Sequence, residues 1–360
     1  MKFNRKKILI DSDPIKIYLL WIVILLTVTY LGFLLFPKSE YSSDNFFENF
    51  VNWDSRYYIS IAQSGYLKPT HYAFFPGYPL AIKIITFITR DFWLSAILIS
   101  VVSTFLASLF LYKLIILDFS KEIAKRTLFY LLFFPTSFYF LMGYSEGLFL
   151  LLSILTIYYF RKNKFFWATL FAILTSLTRF IGLILIFSIF IEILWHKRFN
   201  KKNIILLLSP LGFLLYCLYL YTQTGQPLYF IEAQTEWSRQ IGLPWMPFWE
   251  ALNNIFQSGF TQKYYYVIFD LVFAVFGLGM AIRSFRFLPP IYSFYALGSV
   301  LVPILTTNLS STSRLLLPIF PISILLALIK SQTFKIPYLI ISLILTLLFS
   351  ALFLNWYWVA

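Results

Sequence analysis

Long apolar runs dominate the chain, at residues 15–36, 92–117, 203–221 and 336–354. Each approaches or exceeds the ~20 apolar residues that a helix needs to cross a bilayer. The pattern therefore predicts an all-α polytopic integral membrane protein. Lys and Arg cluster in short segments at 2–7, 121–126, 161–164, 197–202, 283–286 and 330–335. By the positive-inside rule these are cytoplasmic turns. Acids gather in the alternate segments, as Glu40, Asp44, Glu48, Asp54, Asp91, Glu146, Glu232, Glu236 and Glu250. Segment 127–160 lies between two basic loops, so it must go out and return, turning around Pro135–Ser137 to Tyr144–Gly147. Segment 165–195 obeys the same parity, with its turn near Thr178–Gly182. As one helix it would run about 46 Å, too long for a ~30 Å hydrocarbon core. The count is about 11 transmembrane helices in the plasma (inner) membrane, with a cytoplasmic N-terminus and an outer C-terminus. The first span is too long for a signal-peptide core and lacks a small-residue cleavage site, which predicts an uncleaved anchor. Residues 1–360 read as a single membrane domain with long external loops at 37–91, where interfacial helices are expected, and at 223–263.

Polar residues inside these patterns mark candidate chemistry. At helical spacing Phe47, Phe50, Asp54, Tyr57, Tyr58 and Ile61 share one face. A carboxylate on that apolar stripe is costly unless a polar site or ligand receives it. The alternative is a local turn cap or an acid snorkelling to the headgroups. Further along, His71-Tyr-Ala-Phe-Phe-Pro76-Gly77-Tyr-Pro79 cannot continue a helix and reads as a shaped interfacial turn. Its aromatics fit an ordinary interfacial belt equally well, and His71 offers a polar contact. Glu146 after Ser145 is either an acid facing the same compartment as Asp54 or the first turn of a capped helix. Arg179 has almost no loop to occupy, so it either snorkels or holds an anion. Arg314, after Ser310-Ser311-Thr312-Ser313, is a phosphate candidate at the outer end of a proline-bearing helix. Gln234, Trp237 and Ser238 share a helical face by spacing, ahead of Arg239. That mix suits sugar or headgroup contact and also a plain amphipathic helix.

Composition narrows the partners. The chain is 60% hydrophobic and 21% aromatic, with a formal charge of +14. Because the positive charge clusters in the cytoplasmic turns, it reports orientation and not a nucleic-acid partner. The single Cys217 excludes an intramolecular disulfide. No GxxxxGK[ST], GxGxxG or HExxH segment occurs. No cofactor is predicted, and a divalent metal is not indicated. Any reaction must use a donor that arrives through the lipid.

Taken in order, the motifs resemble the PIG-V family, the second mannosyltransferase of glycosylphosphatidylinositol assembly and its prokaryotic relatives. The resemblance rests on Trp53-Asp54-x-x-Tyr57-Tyr58, Ile61-Ala62-x-x-Gly65-Tyr66 and Phe74-Phe75-Pro76-x-Tyr78-Pro79. It continues in Pro135-Thr136-Ser137, Tyr144-Ser145-Glu146, Thr178-Arg179-x-x-Gly182, Gln234-x-x-Trp237-x-Arg239 and Ser313-Arg314-x-x-Leu317-Pro318-x-Phe320-Pro321. It implies a GT-C bundle and an inverting hexosyltransferase. It also implies a polyprenyl-phosphate sugar donor, such as polyprenyl-phosphate mannose, and a lipid-linked or cell-envelope glycan acceptor. By the same resemblance Asp54 is the catalytic base, and Arg314 and Arg179 face the donor phosphate. Glu146, Tyr57, Tyr58, His71, Gln234, Trp237 and Arg239 complete a substrate-binding set. The rival from another class is a transporter or flippase, for which Asp270, an acid within a span, is the feature in favour.

Overall fold

The computed structural model describes residues 12–197, 199–258 and 265–359. In chain order the helices are α1 (Asp13–Leu35), α2 (Asp54–Ser64), α3 (Gly77–Thr89), α4 (Phe92–Asp118), α5 (Lys121–Leu132) and α6 (Glu146–Arg161). Then come α7 (Phe165–Thr178), α8 (Ile181–Trp195), α9 (Leu211–Thr224), α10 (Tyr229–Glu232) and α11 (Met246–Ser258). The series closes with α12 (Tyr265–Phe287), α13 (Pro290–Ile304), α14 (Thr312–Leu315), α15 (Phe320–Leu328) and α16 (Gln332–Leu354). Among the described residues the one isolated β-bridge joins Ile241 to Thr306.

Five segments are long and apolar enough to cross a membrane: α1, α4, Ile204–Thr224, α12 and α16. The protein is a multi-pass membrane protein. Local chemistry sets the boundaries of its helices. The Asp91 carboxylate accepts from the Trp93 and Leu94 N–H groups at the start of α4. Ser120 caps α5 through the Ile123 N–H, and α9 ends on the left-handed Gly225. Both expected out-and-back segments break into two helices. Between α5 and α6 lies a 3-10 turn, Ser137–Phe140. Between α7 and α8 the backbone of Arg179 is extended.

Burial sorts the helices. Helices α6 and α15 are buried nearly all round, as expected at the centre of a bundle. Helices α1 and α16 instead leave rows such as Leu19, Leu20 and Val23, or Ile336, Ile340 and Ile344, exposed. Rows of this kind face acyl chains in a membrane protein. Gly147 lets α6 approach α4 closely, since a Cβ there would lie 2.8 Å from the Ser100 carbonyl oxygen. That contact draws the first residue of α6, Glu146, towards the first long loop.

Candidate active site

The stripe that singled out Asp54 is not one helix. Phe46–Val51 forms a 3-10 turn, the backbone reverses at Trp53 (φ 53°, ψ −120°), and α2 begins at Asp54. Phe47 therefore lies on the preceding turn, 62% exposed, and not on the face of Asp54. The physical reason is the positive φ of Trp53, a conformation a bulky residue holds only where its surroundings impose it. Those surroundings are visible. The Asp54 N–H donates to the Tyr144 hydroxyl at 3.3 Å, and that hydroxyl donates to the Asn52 carbonyl at 3.3 Å. The Asn52 amide in turn donates to the Phe353 carbonyl at 3.2 Å.

From this turn an alternating chain of charges runs into the bundle. Arg314 Nη1 donates to Asp54 Oδ2 at 2.7 Å. Arg314 Nε lies 3.5 Å from Glu146 Oε1, and Arg179 Nη1 donates to the same oxygen at 2.7 Å. Exposure of these side chains is 14% for Asp54, 9% for Arg314, 1% for Glu146 and 14% for Arg179. Ion pairs so enclosed are strong in geometry but offset by desolvation. The Arg314 guanidinium also lies over Tyr144 at 5.2 Å and Tyr139 at 5.6 Å.

The capping account of Ser145 does not hold. Its side chain makes no cap hydrogen bond to α6. Its hydroxyl instead accepts from Arg179 Nη1 at 3.2 Å and pairs with the Tyr58 hydroxyl at 3.0 Å. Arg179 reaches this point because α7 and α8 fold tightly together, where a Cβ on Gly182 would lie 2.7 Å from Ser176 backbone atoms. Arg314 does not head one proline-bearing helix. It belongs to short α14, and the chain breaks again before α15.

Beside the ion chain stands an aromatic wall. Tyr57 stacks on Phe74 at 4.9 Å, and Trp237 meets both rings edge-on at 5.8 Å. His71 is buried 6.1 Å from the Tyr57 ring, and its Nδ1 accepts from the Leu67 N–H at 3.3 Å. That bond ties the turn together, and burial pulls the His71 pKa below the ordinary value. The expected helical face of Gln234, Trp237 and Ser238 does not form. Ala233–Trp237 is a 3-10 turn that ends on left-handed Ser238, so the three side chains lose helical register. The Gln234 carbonyl accepts from the Arg239 N–H at 3.3 Å. Arg239 Nη2 donates to the Ser310 carbonyl. Burial, then the nearby Arg314 charge, pulls the Arg239 pKa down to about 10, which leaves it cationic at neutral pH.

The sequence-chosen Asp54, Glu146, Arg179 and Arg314 thus converge, Arg239 joins through the 310 turn, and Tyr57 and Trp237 form the wall. Tyr58 meets the ion chain through the Ser145 hydroxyl. Sequence reading missed Tyr144, which bridges both sides of Trp53, and the grip of Asp270 on the turn before Arg314. The Tyr144-Ser145-Glu146 motif was the available signal for the first. Several buried polar atoms have no hydrogen-bond partner: Glu146 Oε2, Arg314 Nε, Arg239 Nε, Ser55 Oγ and Trp53 Nε1. Among the described residues no three His, Cys, Asp or Glu side chains converge as a metal-ligand set.

Comparison with known proteins gives the family and the fold. The profile described as mannosyltransferase (PIG-V) matches residues 37–223, just over half of the chain. The chain belongs to that family. Asp54, Glu146 and Arg179 lie within the matched residues. The chain is 24% identical to GPI mannosyltransferase 2 of Schizosaccharomyces pombe over 283 residues, covering 69% of this chain and 60% of that protein. It is 34% identical to the Homo sapiens GPI alpha-1,6-mannosyltransferase 2 over 114 residues, covering 28% of this chain and 23% of that protein. It therefore spans less than two thirds of either relative. Two solved structures share the GT-C fold. ArnT from Cupriavidus metallidurans, bound to undecaprenyl phosphate, aligns over 90% of this chain and 62% of its own, with TM-score 0.52 and 13% identity. The Archaeoglobus fulgidus oligosaccharyltransferase, tethered to an acceptor peptide, aligns over 96% of this chain and 55% of its own, with TM-score 0.50 and 12% identity.

Proposed function

We propose that the protein is an inverting glycosyltransferase that moves a sugar, mannose first among candidates, from a polyprenyl-phosphate donor to a lipid-linked or cell-envelope acceptor. The observation that carries the reading is the Asp54 carboxylate at the head of α2, with Arg314 on one oxygen, in a member of a mannosyltransferase family. Asp54 Oδ2 is engaged, whereas Oδ1 takes no hydrogen bond from the described residues. Asp54 Oδ1 receives the acceptor hydroxyl proton as that oxygen attacks the anomeric carbon. The bond from that carbon to the phosphate oxygen breaks, and the lipid phosphate departs with the electron pair. In this reading the charges of Arg314 and Arg239 stabilise the leaving phosphate. The stacked Tyr57 and Phe74 rings and Trp237 offer apolar faces to a sugar.

The membrane placement belongs to the same reading. Arg161 and Lys197 follow helices that begin near the ion chain, so the basic turns and the site fall at opposite ends of the bundle. With the positive-inside rule, this supports a site on the extracytoplasmic face and an N-terminus in the cytoplasm. Asp270, which favoured transport, is buried and hydrogen-bonded to a turn.

The test is transfer of labelled sugar from a polyprenyl-phosphate donor in membranes carrying the wild-type chain or Asp54→Asn, with native acceptor lipids supplied. Transfer by the wild type alone supports class and base together. Equal transfer by both moves the base elsewhere, and flip of the donor lipid without transfer overturns the enzymatic reading.

A further inference from the structure

Asp270 lies in α12, one of the long apolar helices, and is fully buried. A carboxylate in that setting is costly unless hydrogen bonds replace its water. Two do. Its Oδ2 accepts from the Ser311 N–H at 3.0 Å, and its Oδ1 accepts from the Ser313 N–H at 2.9 Å. Both donors belong to the turn that delivers Arg314.

That turn is held from several sides. Ser311 adopts a left-handed backbone, φ 65°, which a non-glycine residue keeps only when its surroundings over-determine it. Thr136 Oγ1 donates to the Ser313 carbonyl at 3.0 Å, and Arg239 Nη2 donates to the Ser310 carbonyl. The next side chain along is the one that reaches Asp54 Oδ2. No hydrogen bond joins Asp270 to Asp54; the hydrogen-bonded route between them runs through the 311 and 313 amides and Arg314.

We propose that Asp270 is a positioning residue for the transfer reaction: by holding the 311 and 313 amides it aims Arg314, and through Arg314 it orients the Asp54 carboxylate. This rests on the reading of Asp54 as the base. A carboxylate using both oxygens fixes the rotation of the turn, whereas a neutral amide accepts at one oxygen only and presents an N–H₂ to the other donor. The consequence is a turnover defect with donor binding kept.

The test is a double-mutant cycle in the purified full chain, using Asp270→Asn and Arg314→Gln separately and together. Asp270→Asn should lower kcat about tenfold, the scale of one lost charge-assisted hydrogen bond, and leave the donor KM within about twofold. The double variant should be no slower than Arg314→Gln alone. Losses that multiply, or full activity in Asp270→Asn, would overturn the proposal. A second cycle needs no activity: apparent Tm of Asp270→Asn, Asp54→Asn and the pair. Non-additive shifts that vanish when the cycle is repeated with Arg314→Gln support coupling through Arg314, and additive shifts, or coupling that persists without Arg314, reject it. If the wild type transfers no sugar, the functional reading fails, and the Tm cycle still decides this one.

Discussion

Helix α6 carries a charged cluster at each end, about 22 Å apart along its axis, and the two are built on different terms. At the far end Arg161 pairs with Asp118 Oδ1 and, at 3.3 Å, with Glu192 Oε1. The Tyr292 hydroxyl donates to Asp118 Oδ2 at 3.0 Å, and the Ile291 N–H donates to Glu192 Oε2 at 3.1 Å. His196 lies 3.6 Å from Glu192 as well. Every carboxylate oxygen in that cluster has a partner. At the other end Glu146 Oε2 and Arg239 Nε are buried with no hydrogen-bond partner, and Arg314 Nε has only the 3.5 Å ion-pair contact with Glu146 Oε1. Buried polar groups are normally satisfied, and the exceptions need a cause. A closed network ties helices together. One left open fits the proposed reading of this end as the site of transfer.

The sharpest way to break this contrast is to neutralise one acid at the open end. Glu146→Gln should cut transfer by ~10²-fold or more, in line with loss of an electrostatic group near reacting atoms. Because Gln keeps the Oε1 acceptor for Arg179, its stability loss should be smaller than that of Arg161→Met, and a larger loss with activity kept would reverse the two roles. At the closed end Arg161→Met should do the opposite. It strands two buried carboxylates, at a cost of about 3–5 kcal/mol in unfolding measurements, while turnover per folded molecule stays at the wild-type value. Tyr292→Phe is a milder probe of the same end. Losing its bond to Asp118 should cost about 1.5–3 kcal/mol in denaturant unfolding and nothing in kcat.

The smallest effect concerns pH and His71. Burial lowers its folded pKa, so the unfolded chain binds the proton more readily. The stability this residue contributes is present above the ordinary histidine range and fades as pH falls below about 6.5. His71→Gln should flatten that acid-side slope in thermal unfolding. An unchanged slope would assign it to other groups.

The site was legible in part. Asp54, Glu146, Arg179 and Arg314 stood out because charged residues among apolar runs are expensive and therefore few. What each was doing stayed open, since capping, snorkelling and catalysis all draw on the same residue types. Ser145 illustrates this: its position before a helix pointed to a cap, and its hydroxyl went to Tyr58 and Arg179. Asp270 had looked like a mark of transport, because nothing local announces that its partners are amides some forty residues on.

Two kinds of information separate here. Membrane class, the main apolar helices, the breaks near 135 and 179, and the short roll of candidate residues follow from the sequence alone. They depend on solvation and on local backbone rules, which act over a few neighbouring positions. The pairing of Asp54 with Arg314, 260 positions apart, and the reversal at Trp53 arise only in the folded bundle. Contacts between distant segments set both, and neither hydropathy nor helical spacing encodes which distant segments will meet.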